Sequence, residues 1–324
     1  MTDSLLHAEF ADAFDGRTVL VTGATGFAGQ ALCRALLALD ARVHGLARSA
    51  EESPRGVVPW SVDLRDADRV EAACREIAPE YVFHLAAQVT ARQELDLVRR
   101  MLEHNLLGTV NLLLAVVQAG CRRIVTTGTP EETAEDVRRA TVASPYAAAK
   151  TAATIYTRMF HRLYRMPVVT VRPFLTYGPG QEATKLVPYT ILKLLSGESP
   201  QLTSGKRMCD FVYVRDVVRG MLRAALTQGV EGQTFDLGTG QPMSIRRAVE
   251  CIATMTRSNV PVHFGAVPDR LGESPLVADA ATTEKLLGWT PRWTLAVGLT
   301  ETIGWYGEQI ATSGDASGAK KRCA

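Results

Sequence analysis

Short runs of apolar and β-branched residues alternate with amphipathic stretches of helical length through the first half of the chain, and this alternation predicts βαβ units around a parallel sheet. The strand-like runs are Thr18 to Thr22, Arg42 to Leu46, Val57 to Ser61, Tyr81 to Leu85, Arg123 to Thr127 and Val168 to Arg172. Helical spacing falls between them near residues 27 to 39, 66 to 77, 95 to 119 and 145 to 165. Because such crossovers are right-handed, the expected fold class is α/β with a doubly wound parallel sheet. After residue 173 the order becomes irregular. Gly178-Pro179-Gly180 breaks the chain, Leu186 to Leu195 reads as a helix, and Phe211 to Val214 reads as a short strand. Further helices are expected at 244 to 257 and 281 to 287, with a turn at Gly288-Trp289-Thr290-Pro291. This division predicts an N-terminal arm (1–16), a nucleotide-binding domain (17–173) with returns to the sheet around 210–240, and a smaller C-terminal lobe (174–312). A Ser, Gly, Ala and Lys-rich tail (313–324) is expected to be disordered.

The first strand runs directly into Gly23-Ala24-Thr25-Gly26-Phe27-Ala28-Gly29 and then into a helix. A strand, a glycine turn and a helix N-terminus cradle phosphate, since the glycines let backbone N–H groups approach a pyrophosphate and the helix dipole favours its charge. About 120 residues later comes Tyr146-Ala147-Ala148-Ala149-Lys150, which places a phenol and an ammonium one turn apart on one helix face. An ammonium there favours the phenolate, making the tyrosine a usable acid and base. Either motif alone is common; the two together point to nicotinamide redox chemistry.

Composition narrows the surroundings of that chemistry. With 36 Lys and Arg against 34 Asp and Glu, the chain carries no field suited to a nucleic acid. Its six cysteines lack metal-ligand spacing and read as reduced thiols of a cytoplasmic protein. No metal is expected, no stretch has the roughly twenty apolar residues of a membrane span, and residues 1–16 lack the pattern of a signal peptide.

Further motifs, in order, are Asp63-Leu64, His84-Leu85-Ala86-Ala87-Gln88, Asn105 with Gly108-Thr109, Arg172-Pro173-Phe174, Tyr177-Gly178-Pro179-Gly180-Gln181, Asp210 to Val217 and Leu286-Leu287-Gly288-Trp289. Together with the glycine turn and the Tyr146/Lys150 pair they resemble the extended short-chain dehydrogenase/reductase family, in its branch that modifies nucleotide-activated sugars, from about Arg17 to Tyr306. The resemblance implies a Rossmann domain with a seven-stranded parallel sheet, a substrate lobe, and a homodimer built through a four-helix bundle. It also implies roles. Tyr146 would donate or accept the proton, Lys150 would hold the nicotinamide ribose, Thr129 would bond the reacting sugar oxygen, and Asn105 would hold a kink or water near the site. Gly23, Thr25, Gly26, Phe27, Ala28, Gly29, Asp63, Leu64, Leu85, Ala86, Ala87, Gln88 and Pro173 would line the cofactor. Gln88, Thr129, Leu175, Lys185, Leu186, Arg207 and Arg270 would face a nucleoside-diphosphate sugar.

The cofactor and the reaction are written in two departures. Ala47 stands after the second strand where an acidic residue would bind the ribose hydroxyls, and Arg48 with Ser49 offers a donor pair for a 2′-phosphate, so NADP(H) is preferred, with NAD(H) as the alternative. In Gly128-Thr129-Pro130-Glu131-Glu132, Glu131 falls where 4,6-dehydratases resembling this chain keep a glutamate, but Pro130 replaces their Asp or Ser and supplies no side-chain donor. Leu175 and Cys209 likewise replace an asparagine and an arginine common in substrate binding. The expectation is an NADP-dependent ketoreductase of a nucleotide-linked 4-keto-6-deoxy sugar. The alternatives are a 4,6-dehydratase or epimerase that recycles its cofactor, with Glu131 as acid and base, and a non-catalytic dinucleotide-binding regulator.

Overall fold

The computed structural model describes residues 3–49, 52–90, 92–132, 143–270, 272 and 274–320. Strands β1 (Thr18–Thr22), β2 (Arg42–Ala47), β3 (Val58–Ser61), β4 (Tyr81–His84), β5 (Arg123–Thr127) and β6 (Val168–Pro173) lie within a residue of the runs read from the sequence. With β11 (Thr234–Leu237) they form one parallel sheet in the order β11-β6-β5-β4-β1-β2-β3. The central strands are covered on both faces, which is why they read as continuous apolar runs. Helices α2 (Phe27–Ala38), α3 (Ala67–Ile77), α5 (Gly108–Ala119), α6 (Pro145–Tyr164) and α8 (Val214–Leu226) cover those faces. Local chemistry starts them: Asp66 accepts from the Arg69 N–H to cap α3, and Ser144, followed by Pro145, accepts from the Ala147 N–H to cap α6. The strand order reverses between β1 and β4, and the crevice outside the carboxyl ends of these strands is where an open α/β sheet binds its ligand.

The lobe gathers short strands β7 (Leu175–Tyr177), β8 (Gln201–Leu202), β9 (Met208–Cys209), β10 (Phe211–Tyr213), β12 (Met243–Ser244) and β13 (His263–Phe264) with helices α7 (Leu186–Leu195), α9 (Ile245–Thr256) and α10 (Ala280–Leu287). Tyr177, Ile191, Phe211, Tyr213 and Leu299 form its core. Asp210, fully buried, ties β10 to the end of β11 by accepting from the N–H groups of Thr239 (2.8 Å) and Gly240 (2.7 Å).

Three expectations change. The single helix expected at 95–119 is interrupted: α4 (Leu97–Met101) passes through a π-helical turn, Leu102–Leu107, before α5. Residues 3–14 of the expected arm form helix α1 (Asp3–Phe14), whose Phe10 and Phe14 are buried in the main core. Its Glu9 carboxylate sits among Arg219, Arg223 and Arg292 at 3.5, 2.8 and 3.0 Å. The segment from 313, expected to be disordered, continues helix α11 (Leu295–Lys320), and residues 321–324 lie outside the described set.

Candidate active site

The glycine turn sits at the β1 end of the crevice. Gly23 has φ of +70°, and a Cβ there would stand 2.8 Å from the Ala86 amide nitrogen, so glycine is required both by conformation and by the approach of the backbone that follows β4. A Cβ on Gly29 would lie 2.0 Å from the Gly23 carbonyl oxygen, which fixes how closely α2 packs on the turn. No side chain caps α2, whose N-cap is Gly26. Its first amides and positive dipole end therefore suit a pyrophosphate, and the residues present fit a dinucleotide.

A directed hydrogen-bond chain braces the crevice. Thr109 Oγ1 donates to the Asn105 carbonyl (2.7 Å), so it accepts from His84 Nε2 (2.8 Å), and His84 Nδ1 in turn accepts from the Thr22 hydroxyl (2.7 Å). Burial, followed by the Lys150 charge, pushes the His84 pKa down to about 3, which keeps this neutral tautomer in place. Asn105, 1% exposed within the π-helical turn, brackets the Gln88 peptide by accepting from its N–H (2.8 Å) and donating to its carbonyl (3.0 Å). Gln88 Nε2 is buried without a hydrogen-bond partner among the described residues, a donor suited to a ligand.

Tyr146 and Lys150 project from α6, 9% and 3% exposed. The Tyr146 phenol is hydrogen-bonded to the Thr129 side chain, and the Lys150 ammonium donates to the Thr127 carbonyl at the end of β5. The expected lowering of the phenol pKa is not what the structure shows. Burial raises it, the Thr129 hydrogen bond opposes that, and the charges of Glu131 and Glu132 add to it. Lys150 is itself pushed down to about 8 by burial, against the upward pull of Glu132. Burial thus favours the neutral form of both groups and moves the proton affinities of phenol and amine apart.

Of the two glutamates after Thr129, Glu131 faces Arg207 at 3.8 Å. Arg207, expected to face the nucleoside-diphosphate sugar, also donates to the Ser274 carbonyl (3.0 Å) and so lies beside the candidate carboxylate. Glu132, which the sequence does not distinguish from a solvated neighbour, is half-buried and accepts from the Thr129 N–H (2.8 Å) and the Thr154 hydroxyl (3.0 Å). Pro173 ends β6, and Leu175 is half-buried in β7. Lys185 and Leu186 begin α7, where Lys185 Nζ reaches the Val89 carbonyl (3.2 Å). Arg270 is exposed on the lobe. At the other end of the crevice Arg48 and Ser49 are exposed after β2, and Ala47 is buried. Asp63 is bound to Arg65, which holds its carboxyl down at about 2. Leu64 packs under Gly108, whose Cβ would meet it at 3.0 Å.

A family model described as the NAD dependent epimerase/dehydratase family matches residues 19–238, spanning the phosphate turn, the Tyr146/Lys150 helix and the returning strand β11. The chain belongs to this family. It is therefore an NAD(P)-dependent enzyme of the short-chain dehydrogenase/reductase type, as its motifs imply. Among relatives in the family, the UDP-glucose 4-epimerase of Mycolicibacterium smegmatis is 34% identical over 89% of this chain and 97% of its own length. The dTDP-glucose 4,6-dehydratase of Neisseria gonorrhoeae is 27% identical, covering 90% and 95% of the two chains. The crystal structure of the Thermus thermophilus UDP-glucose 4-epimerase with NAD superimposes with a TM-score of 0.79 at 29% identity, over 89% of this chain and 98% of that one. These relatives are epimerases and a dehydratase, and they favour the epimerase or dehydratase alternative over the 4-ketoreductase expected from the sequence.

Proposed function

We propose that this chain is a nucleoside-diphosphate-sugar 4-epimerase that retains its dinucleotide and recycles it within each turnover. The observation that carries the reading is the Tyr146–Thr129 hydrogen bond beside buried Lys150, next to Pro130, which has no proton to give. Epimerisation needs one group that takes the proton from the sugar 4-hydroxyl and later returns it. Dehydration needs a further acid for the departing 6-hydroxyl and a base at C5. Tyr146 serves the first requirement, with Thr129 aligning the oxygen and Lys150 holding the ribose. The bound nicotinamide supplies the hydride acceptor and donor. The 3.8 Å approach of Arg207 to Glu131 supports a substrate-orienting role for this glutamate over that of a lone dehydratase base. The NADPH-consuming ketoreductase expected from the sequence ranks below this reading, since the relatives are named epimerases and dehydratases.

Exposed Arg48 and Ser49, with no acidic side chain at Ala47, support a ribose site that admits NADP(H) as well as NAD(H). Exposed Leu102, Leu107, Leu114, Val117, Ile155, Tyr156 and Leu163, on the segment from Leu102 through α5 and on α6, support a homodimer through these helices. Cys33, Cys74, Cys121 and Cys251 are free thiols, which suits a cytoplasmic enzyme, and no helix among the described residues is long and apolar enough to cross a membrane.

The test is incubation of the enzyme with UDP-glucose or dTDP-glucose in heavy water, followed by NMR and mass spectrometry of the product. The expected outcome is the 4-epimer with no carbon-bound deuterium and no net cofactor consumed. Loss of water with deuterium at C5 would move the assignment to a dehydratase. Turnover of the corresponding 4-keto sugar with stoichiometric NADPH oxidation would restore the ketoreductase. The Tyr146→Phe variant should retain NAD binding and lose at least about 100-fold in turnover.

A further inference from the structure

The carboxylate of Glu132 is half-buried and turned towards the Thr129 loop and α6. It accepts from the Thr129 N–H (2.8 Å) and from Thr154 Oγ1 (3.0 Å). Thr154 stands on the same face of α6 as Tyr146 and Lys150, each four residues from the next. Room for the carboxylate is made by Gly128, since a Cβ there would stand 2.5 Å from Glu132 Oε1 and 3.0 Å from Arg172 Cγ. Charged and titratable groups surround it from each packed element. Lys150 and the Tyr146 phenol come from α6, and Arg172 comes from β6, itself bound to Asp236 of β11 at 2.6 Å. His84 of β4 feels the Lys150 charge, and Glu131 precedes Glu132 in the loop. Burial works against a charged carboxylate here, whereas the Thr129 amide, Lys150, the Thr154 hydroxyl and Arg172 all favour it.

We propose that Glu132 is a positioning residue of the reaction: its carboxylate fixes the Thr129 loop against α6 and supplies the counter-charge that keeps Lys150 an ammonium ion. The roles of Thr129 and Lys150 in this proposal rest on the function proposed above. The sign of the effect follows from the site. Lys150 is desolvated, which disfavours its charge, and Glu132 is the group whose charge opposes that effect. Without the carboxylate, Lys150 releases its proton at lower pH, and the site loses its cation within the working range of a cytoplasmic enzyme. The loop hydrogen bond sets Thr129, which in turn carries the phenol, so one side chain couples the geometry of the acid–base pair to its charge.

The chain has seven lysines, few enough for their Cε resonances to be followed individually after 13C-lysine labelling of the full-length protein. Lys150 is assigned by the resonance missing in Lys150→Met. In the wild type it should titrate near 8. In Glu132→Gln, which keeps an acceptor for the Thr129 amide but loses the charge that favours the ammonium form, the titration should move down by about 1 unit or more. In Glu132→Asp, which keeps the charge, it should stay within about 0.3 unit. The alkaline limb of kcat should move with the Lys150 titration, whereas a merely structural role would lower kcat uniformly at all pH values. A Lys150 titration unmoved in Glu132→Gln overturns the proposal. If Glu132→Gln does not fold, Glu132→Asp decides it: a folded protein with the wild-type titration supports the proposal, and failure to fold or a displaced titration overturns it. The NMR titration involves no sugar and no hydride transfer, so absence of epimerase activity would sink the function proposed above while leaving this result standing.

Discussion

Replacing Gly29 with alanine tests how far the phosphate cradle depends on contact between α2 and its own turn. The added Cβ would stand 2.0 Å from the Gly23 carbonyl oxygen, 2.9 Å from the Gly23 carbonyl carbon and 3.1 Å from the Ala24 Cα. These are backbone atoms, so no side chain can swing aside, and the helix N-terminus must retreat from the turn by about 1 Å to restore contact distance. A phosphate hydrogen bond lengthened by about 1 Å leaves the bonding range. Hydrogen bonds to charged groups contribute about 1.5–3 kcal/mol each, so displacing two amides costs about 3–6 kcal/mol of cofactor binding. That corresponds to roughly 100- to 10,000-fold weaker NAD(H) affinity. Calorimetric titration of the emptied enzyme with NAD(H) measures it directly. Gly304→Ala is the control, because that exposed helical glycine has nothing within 4 Å of the added methyl and should gain about 0.5–1 kcal/mol in stability at unchanged affinity. A Gly29→Ala enzyme that binds NAD(H) within threefold of the wild type would refute the reasoning.

Two further outcomes follow from buried groups. His84 has a folded-state pKa near 3, below its unfolded value, so the unfolded chain binds the extra proton between about pH 6.5 and 3. Its contribution to stability is present above about pH 6.5 and is lost as the pH falls towards 3, with a slope of up to about 1.4 kcal/mol per pH unit. Urea unfolding at pH 7 and pH 5 should show that slope reduced by about one proton in His84→Asn, and an unchanged slope would remove His84 as its source. Asp216, fully buried, accepts from the N–H groups of Arg292 (2.7 Å) and Trp293 (3.0 Å) beside Arg219. Asp216→Ala should lower the unfolding free energy by about 3–5 kcal/mol, and a loss below about 1 kcal/mol in equilibrium denaturation would show that this tie does not hold the 289–293 turn.

The sheet was legible because its strands are buried on both faces and bounded by turn residues, and the glycine turn because its spacing follows directly from how closely backbone must approach backbone. Other features leave weaker traces. The π-helical turn around Asn105 inserts one residue into an otherwise continuous helical pattern, and no period in the residues signals it. Helix α8 did carry a signal, in Val214, Val217, Val218, Met221, Leu222 and Ala225 at helical spacing, but the strand reading of Phe211 to Val214 runs into its first residue. Glu132 was unreadable for a different reason. Its burial depends on Thr154, 22 residues later, and on the absence of a side chain at Gly128, whereas adjacent glutamates in a loop read as solvated. The same limit applies to Arg207 and Glu131, each identified as a candidate but not as each other's neighbour.

The placement of Glu9 bears on the order in which this protein can be completed during synthesis. Phe14 packs against Tyr81 and Phe83, partners that leave the ribosome early. Glu9, from the same helix, ends among arginines at 219, 223 and 292, and the seventh strand of the sheet starts only at Thr234. For most of translation, then, the first helix carries an acidic residue with no cationic clasp, beside a sheet that still lacks its seventh strand. Both defects close only as the final third of the chain arrives, so a nascent chain truncated before about residue 240 cannot present a finished nucleotide-binding half, whatever its share of the motifs.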